Sequence, residues 1–149
     1  MNIAFFLLPK EQVAFLKTNS TVRQALEKLE HHRYTAVPVL DDKGRYSETV
    51  TEGDLLWTIK NTPGLNFETS HRFSISGIKK ERLIKSVYIN AQMEDLLSLI
   101  ATQNFVPVVD DHDVFIGIVR RSDIIEYCSN QLFAIKGLRF QNFPLHDIN

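Results

Sequence analysis

The sequence predicts an α/β (α+β) fold made of two tandem β-α-β-β-α repeats packed with pseudo-twofold symmetry. Three observations carry that expectation. Glu48-Thr49-Val50-Thr51-Glu52-Gly53-Asp54-Leu55-Leu56 is written again, 69 positions downstream, as Gly117-Ile118-Val119-Arg120-Arg121-Ser122-Asp123-Ile124-Ile125. The same offset links Pro38 to Pro107 and Asp41-Asp42 to Asp110-Asp111. A unit of roughly 45 to 60 residues buries too little surface to be secure alone, so two copies should share one core.

Bulk composition narrows the function. At 44% apolar and 23% charged residues the chain is an ordinary globular protein, long enough to bury a core. A net charge of -1 and a pI near 6.5 advertise neither nucleic acid nor an anionic membrane as partner. The single cysteine, Cys128, excludes an internal disulfide framework and suits a reducing cytoplasm. Ile3 to Leu8 is apolar but far short of the ~20 residues of a membrane span. It ends at Pro9 and lacks a basic leader and a small-residue cleavage site, so residues 1–12 read as a core-packing arm of a cytoplasmic protein.

The first repeat spans residues 13–62. Val13 to Lys17 is a short opening strand. Thr21 and Gln24 have capping-box spacing, and Val22, Ala25, Leu26 and Leu29 set the inner face of a helix over 22–32. Tyr34 to Leu40 is an apolar strand in which Pro38 cannot donate, so it should lie at an edge or in an interrupted ladder. Asp41-Asp42-Lys43-Gly44 turns the chain into a returning strand, Tyr46 to Val50. Asp54 then opens a helix expected to point Leu55, Leu56 and Ile59 inward and to stop at Asn61-Thr62-Pro63-Gly64.

Residues 63–83 carry little periodicity and end in Lys79-Lys80-Glu81-Arg82, so they read as a connector. The second repeat, 84–130, follows the same order. Ile84 to Ile89 opens it, Met93, Leu96, Leu97 and Ile100 mark the helix, and Asn104 to Val109 is the apolar strand. Val114 to Val119 returns, and Asp123 starts a helix with Ile124, Ile125 and Cys128 inward. Before the apolar strand the first repeat carries two extra residues. The tail, 131–149, holds Leu132, Phe133, Ile135, Leu138, Phe140 and Phe143, enough apolar surface to pack on its own core or on a second subunit.

Thr51 and Asp54 lie three residues apart where strand gives way to helix. A hydroxyl and a carboxylate at that spacing either cap the helix or grip the vicinal hydroxyls of a ribose. The five histidines show no zinc-ligand spacing, and no metal site is expected. Trp57 reads as a packing or subunit-contact residue. No phosphate-cradling glycine loop, nucleophile elbow or His-Glu metalloprotease string is present, so an enzyme is not expected.

The two ordered copies, with Thr35-Ala36-Val37-Pro38-Val39 and Asn104-Phe105-Val106-Pro107-Val108 each followed by an Asp-Asp turn and a Thr/Ser-x-x-Asp-like helix start, resemble the CBS-domain pair, or Bateman module, of stand-alone bacterial type. The resemblance covers about residues 13–128. It implies two clefts that bind adenine nucleotides, with the motif Asp on the ribose and the strand before Pro-Val of the other repeat beside the base. One cleft would use Thr51 and Asp54, with Asn104, Phe105 and Val106 beside adenine. The other would use Asp123, with Thr35, Ala36, Val37 and Ser20.

Three departures stand out. Arg120 replaces the motif hydroxyl and can instead pair with phosphate. Glu48 stands where the second copy has Gly117, which suggests a more crowded first hairpin. Ala91 and Gln92 replace the hydroxyls of Ser20 and Thr21.

The implied role is a regulatory module, a homodimer through its helices and tail with Leu56, Trp57 and Tyr127 as contacts, that signals to an effector protein. AMP, ADP, ATP and cyclic di-AMP all satisfy the motif. A purely structural dimerisation module with degenerate clefts is the alternative.

Overall fold

The computed structural model describes residues 1–80, 82–135 and 137; Leu138, Phe140 and Phe143 of the tail lie outside them. After a 3-10 turn at Ile3–Phe6 the arm forms a short strand, β1 (Leu8–Pro9). The first repeat comprises β2 (Leu16–Lys17), α1 (Val22–His32), β3 (Ala36–Leu40), β4 (Tyr46–Thr51) and α2 (Glu52–Asn61). The second comprises β5 (Val87–Tyr88), α3 (Met93–Ile100), β6 (Phe105–Val109), β7 (Phe115–Arg120) and α4 (Arg121–Ile135). They make two sheets, β2-β3-β4 and β1-β7-β6-β5, so the mixed fold and the repeat order follow the sequence pattern.

Local chemistry fixes the element boundaries in the first repeat. Thr21 and Gln24 form a reciprocal capping box at α1, with Thr21 Oγ1 accepting from Gln24 N at 3.2 Å and Gln24 Oε1 accepting from Thr21 N at 2.9 Å. Gly44 takes φ +78° in the hairpin turn, a conformation without steric cost only for glycine. Pro38 sits in the central strand of its sheet, yet β2 pairs only with Val39 and Leu40. No β2 residue lies opposite Pro38, and the ladder is interrupted where the proline needs it to be.

The two halves repeat their bonds as well as their sequence. Thr35 O accepts from Glu52 N at 2.9 Å, and Asn104 O accepts from Arg121 N at 2.9 Å, each 69 positions on. Equivalent residues also touch each other. Asn104 Nδ2 donates to Thr35 Oγ1 at 2.9 Å, and Arg45 pairs with Val114 in an antiparallel bridge. A contact between a residue and its own repeat equivalent must lie on the pseudo-twofold axis, so these two contacts mark where that axis runs.

Each repeat has its own core between sheet and helices. The first gathers Val22, Ala25, Leu29, Val37, Val50 and Leu55, and the second gathers Leu96, Ile100, Val106, Val119 and Ile124. A third cluster, Val13, Leu40, Phe105, Phe115 and Ile118, joins the halves. The connector is more than a tether: Leu65, Ile75 and Ile78 are buried in the first core. The arm does pack as expected, with Ile3 wholly buried in the second core.

Three helical positions differ from expectation. Leu56 and Ile125 are exposed, because Leu55 and Ile124 already take the inward position and each following residue is turned about 100° away. Cys128 is exposed too: Ile124, in the first turn, is the only buried residue of α4, so the next turn is no longer covered by the core.

Candidate nucleotide-binding cleft

A cleft of about 360 Å3 opens where the C-terminal end of β4 and the start of α2 face the second repeat. From the first repeat it is lined by Ala36, Thr49, Thr51, Gly53, Asp54 and Trp57, and from the second by Ile84, Thr102, Gln103, Asn104 and Phe105, with Arg82 between. Of the five residues expected to assemble here around one ligand, Thr51, Asp54, Asn104 and Phe105 line the same space. The side chain of Val106 is wholly buried in the second core instead.

Thr51 and Asp54 are first of all a helix cap. Thr51 Oγ1 accepts from Asp54 N at 3.1 Å, and Asp54 Oδ2 accepts from Thr51 N at 3.0 Å. This capping box holds the carboxylate at the cleft wall, only 8% exposed. A buried carboxylate needs a partner, and Lys80 supplies one: its Nζ lies 3.5 Å from Asp54 Oδ2 and donates to Thr49 O at 3.0 Å. Lys80 comes from the connector, as does Arg82, whose Nη1 reaches Thr102 O at 3.4 Å. Trp57, expected in packing or a subunit contact, is 45% exposed at the cleft rim, with Lys60 Nζ over its ring at 5.4 Å.

Beneath the cleft Tyr46 ties the two repeats together. Its hydroxyl hydrogen-bonds Thr49 Oγ1 at 2.7 Å and donates to Ile84 O at 2.9 Å. Burial pushes its pKa up to about 12, with the Thr49 bond opposing and Glu48 adding to the rise. Within the second repeat, Gln103 holds the chain at Lys85, accepting from Lys85 N at 2.8 Å and donating to Lys85 O at 3.0 Å.

The region around Asp123 is built differently. Arg120 grips Asp123 with both ends of its guanidinium, Nε to Oδ2 at 2.8 Å and Nη2 to Oδ1 at 3.2 Å. Beside this pair the arm residues Phe5, Phe6, Leu7 and Leu8 form the wall of a separate pocket with Tyr127. Thr35, Ala36, Val37 and Ser20 are not among its lining residues. Val37 is buried in the first core, Thr35 is bonded to Asn104, and Ala36 lines the Asp54 cleft. Ser20 Oγ accepts from Lys17 N at 3.1 Å and borders a groove between α1 and residues 11–17.

Gly117 explains the difference between the hairpins. A Cβ there would lie 2.2 Å from the carbonyl oxygen of Leu8, because β1 pairs with β7 at that point. The glycine is the docking point of the arm.

The repeat geometry has a counterpart among known families. The CBS domain model matches residues 7–61 and again residues 81–130, one match for each repeat. The chain belongs to the CBS-domain family. This CBS pair is 24% identical over 130 residues to cyclic di-AMP receptor B of Bacillus subtilis (strain 168), covering 87% of this chain and 88% of that protein. Its fold matches that of CbpB in complex with c-di-AMP, with a TM-score of 0.76 at 20% identity over 92% of this chain and 90% of that one. It also matches CBSX2 in complex with AMP, with a TM-score of 0.68 at 24% identity over 88% and 97% of the two chains. Among the described residues, no helix is long and apolar enough to cross a membrane.

Proposed function

We propose that this CBS pair is a non-catalytic sensor that binds an adenine nucleotide in the Thr51/Asp54 cleft and passes its state to a partner protein. The observation that carries the reading is the position of Asp54. Its carboxylate is fixed by the capping box at the wall of a cleft that both repeats line, with its engaged contacts on Oδ2. A ribose diol donating to Oδ1 would leave the cap intact, so the capping role and the ligand role are compatible. Trp57, Ala36 and Phe105 offer apolar surface for a base. A cavity of about 360 Å3 lies at the small end of the ligand-pocket range and suits one nucleoside monophosphate unit.

The relatives that bind cyclic di-AMP favour a second version of the reading. A cyclic dinucleotide carries two such units, so it would be shared between clefts of two copies. Leu56 of α2 and Ile125 of α4 hold equivalent positions 69 apart and are 58% and 47% exposed, a paired apolar face that suits a homodimer.

The test is a thermal-shift titration with AMP, ADP, ATP and cyclic di-AMP, repeated on Asp54→Asn. A ligand at ~100 times its dissociation constant stabilises the folded state by ~2.7 kcal/mol. A shift lost in Asp54→Asn supports the sensor; no shift with any of them removes it and leaves a dimerisation module.

A further inference from the structure

The arm and the last helix build a separate pocket of about 400 Å3 beside the Arg120–Asp123 pair. Its walls carry three aromatic rings, Phe5 and Phe6 from the arm and Tyr127 from α4. The rings follow one another edge to face: Phe5 and Phe6 lie 5.2 Å apart at 84°, and Phe6 and Tyr127 lie 5.2 Å apart at 74°. Rings set nearly perpendicular turn their electron-rich faces in different directions around the space they border. The 3-10 turn that carries Phe5 and Phe6 is firmly held. Asn2 Oδ1 accepts from Ala4 N at 2.9 Å, Leu7 N donates to Ala4 O at 3.2 Å, and Ile3 is wholly buried. Phe5 is nevertheless 78% exposed, so its ring gives surface to the pocket rather than to the core.

The charges around the rings narrow the ligand. Arg120 is the only cation among the lining residues, and both ends of its guanidinium are spent on Asp123, so no basic group is left for an anion. That pair cancels, and Glu126, exposed and without a partner among the described residues, leaves the pocket net negative. With Asp123 engaged, the wall offers too few acceptors for a primary ammonium, which brings three donors. A bare metal ion fits no better, because no group of three ligating side chains sits here among the described residues. We propose that this pocket binds a small organic cation of the quaternary ammonium type, held by the faces of Phe5, Phe6 and Tyr127 with the Glu126 carboxylate at the rim. A fully methylated ammonium has no hydrogen bonds to satisfy, and aromatic faces attract it within about 6 Å of their centroids. Two of the rings ride on the arm and one on α4, so the bound cation also pins the arm to the last helix.

Saturation-transfer NMR with choline chloride, titrated at constant ionic strength into the wild-type chain, Phe5→Leu and Glu126→Gln, tests this. The control ligand is the uncharged alcohol in which a carbon atom replaces the nitrogen of choline. Both substitutions alter exposed side chains and should leave the unfolding midpoint unchanged. The wild type is expected to bind choline about 10-fold more tightly than the alcohol. Phe5→Leu keeps apolar surface but removes a ring face, so it should weaken choline about 3- to 10-fold and leave the alcohol nearly unaffected. Glu126→Gln should weaken choline about 2- to 5-fold. Equal affinity for choline and the alcohol would overturn the proposal, since the pocket would then be merely apolar. So would choline binding that survives Phe5→Leu undiminished, or no saturable binding of choline to the wild type. No nucleotide is present and neither substitution touches the Asp54 cleft, so each of these outcomes leaves the sensor reading standing.

Discussion

Replacing Gly117 by alanine tests how the arm is held. The added Cβ would meet Leu8 O at 2.2 Å, Leu7 Cδ1 at 2.9 Å and Leu8 C at 3.1 Å. Two of those atoms are backbone of the paired strand and cannot swing aside, so β1 must leave β7. With it goes the anchor of Ile3, which is wholly buried in the second core. Exposing that side chain costs about 1.5–3 kcal/mol, and losing the short strand pairing adds about 1 kcal/mol. The expected loss is about 2–4 kcal/mol, a fall in melting temperature of roughly 5–15 °C for a chain of this size. Urea unfolding of the wild type and Gly117→Ala, each with and without residues 1–9, measures it. Because the penalty comes from the arm, it should largely vanish in the shortened chain. If Gly117→Ala costs as much without the arm as with it, the damage lies in the strand's own backbone, at φ +156°, and the steric reasoning is refuted.

Tyr46 should make the fold sensitive to alkali. Its folded pKa of about 12 lies above the usual 10, so its contribution is complete below pH 10 and is lost as pH rises toward 12; Tyr46→Phe should flatten the fall in urea midpoint over that window while costing about 1 kcal/mol at pH 7 through the lost bond to Ile84 O. Arg120→Ala removes an ion pair whose partners are 51% and 29% exposed, so it should change stability by less than about 1 kcal/mol in denaturant titration. Leu56→Asp combined with Ile125→Asp should leave the unfolding midpoint of a monomer nearly unchanged but convert a dimer to monomer in light scattering, and a mass that does not change would dismiss the α2/α4 face.

Much of the fold was legible because periodicity and capping are local. Thr21 with Gln24 and the 22–32 pattern needed no tertiary information, and the Asp-Asp turns with their returning strands followed from turn chemistry. The connector was not legible for a physical reason. It is buried at single anchors, Leu65, Ile75 and Ile78, joined by 3-10 turns, and such spacing has no helical or strand period to detect. The same irregularity hid Lys80. A basic run on a connector usually faces water, and only the fold brings this one lysine against Thr49 and Asp54. An alternating Lys80-x-Arg82-x-Ile84 ahead of the opening strand was the one available signal. Gly117 was visible as a departure, but its cause lies in the arm, more than a hundred residues earlier in the chain.

The two clefts implied by duplication have diverged along one set of equivalent positions. Ala36 faces Phe105 across the repeat, Thr49 corresponds to Ile118, and Thr51 corresponds to Arg120. At each pair the first repeat carries the smaller residue, hydroxyl-bearing in two cases out of three. Phe105 and Ile118 enter the cluster that joins the halves, with Leu8 of the arm packed against them. Arg120 turns the second motif Asp into half of an ion pair. Volume gained on one side of the axis therefore became core and arm-docking surface, while volume kept small on the other remained cleft. The axis itself runs through the bond between Asn104 and Thr35, and Asn104 also lines the open cleft. A ligand seated there touches both repeats on one side of the axis only. It can shift their relative tilt by as much as it prefers one tilt over another, and an unmatched cleft on the far side leaves that preference unopposed.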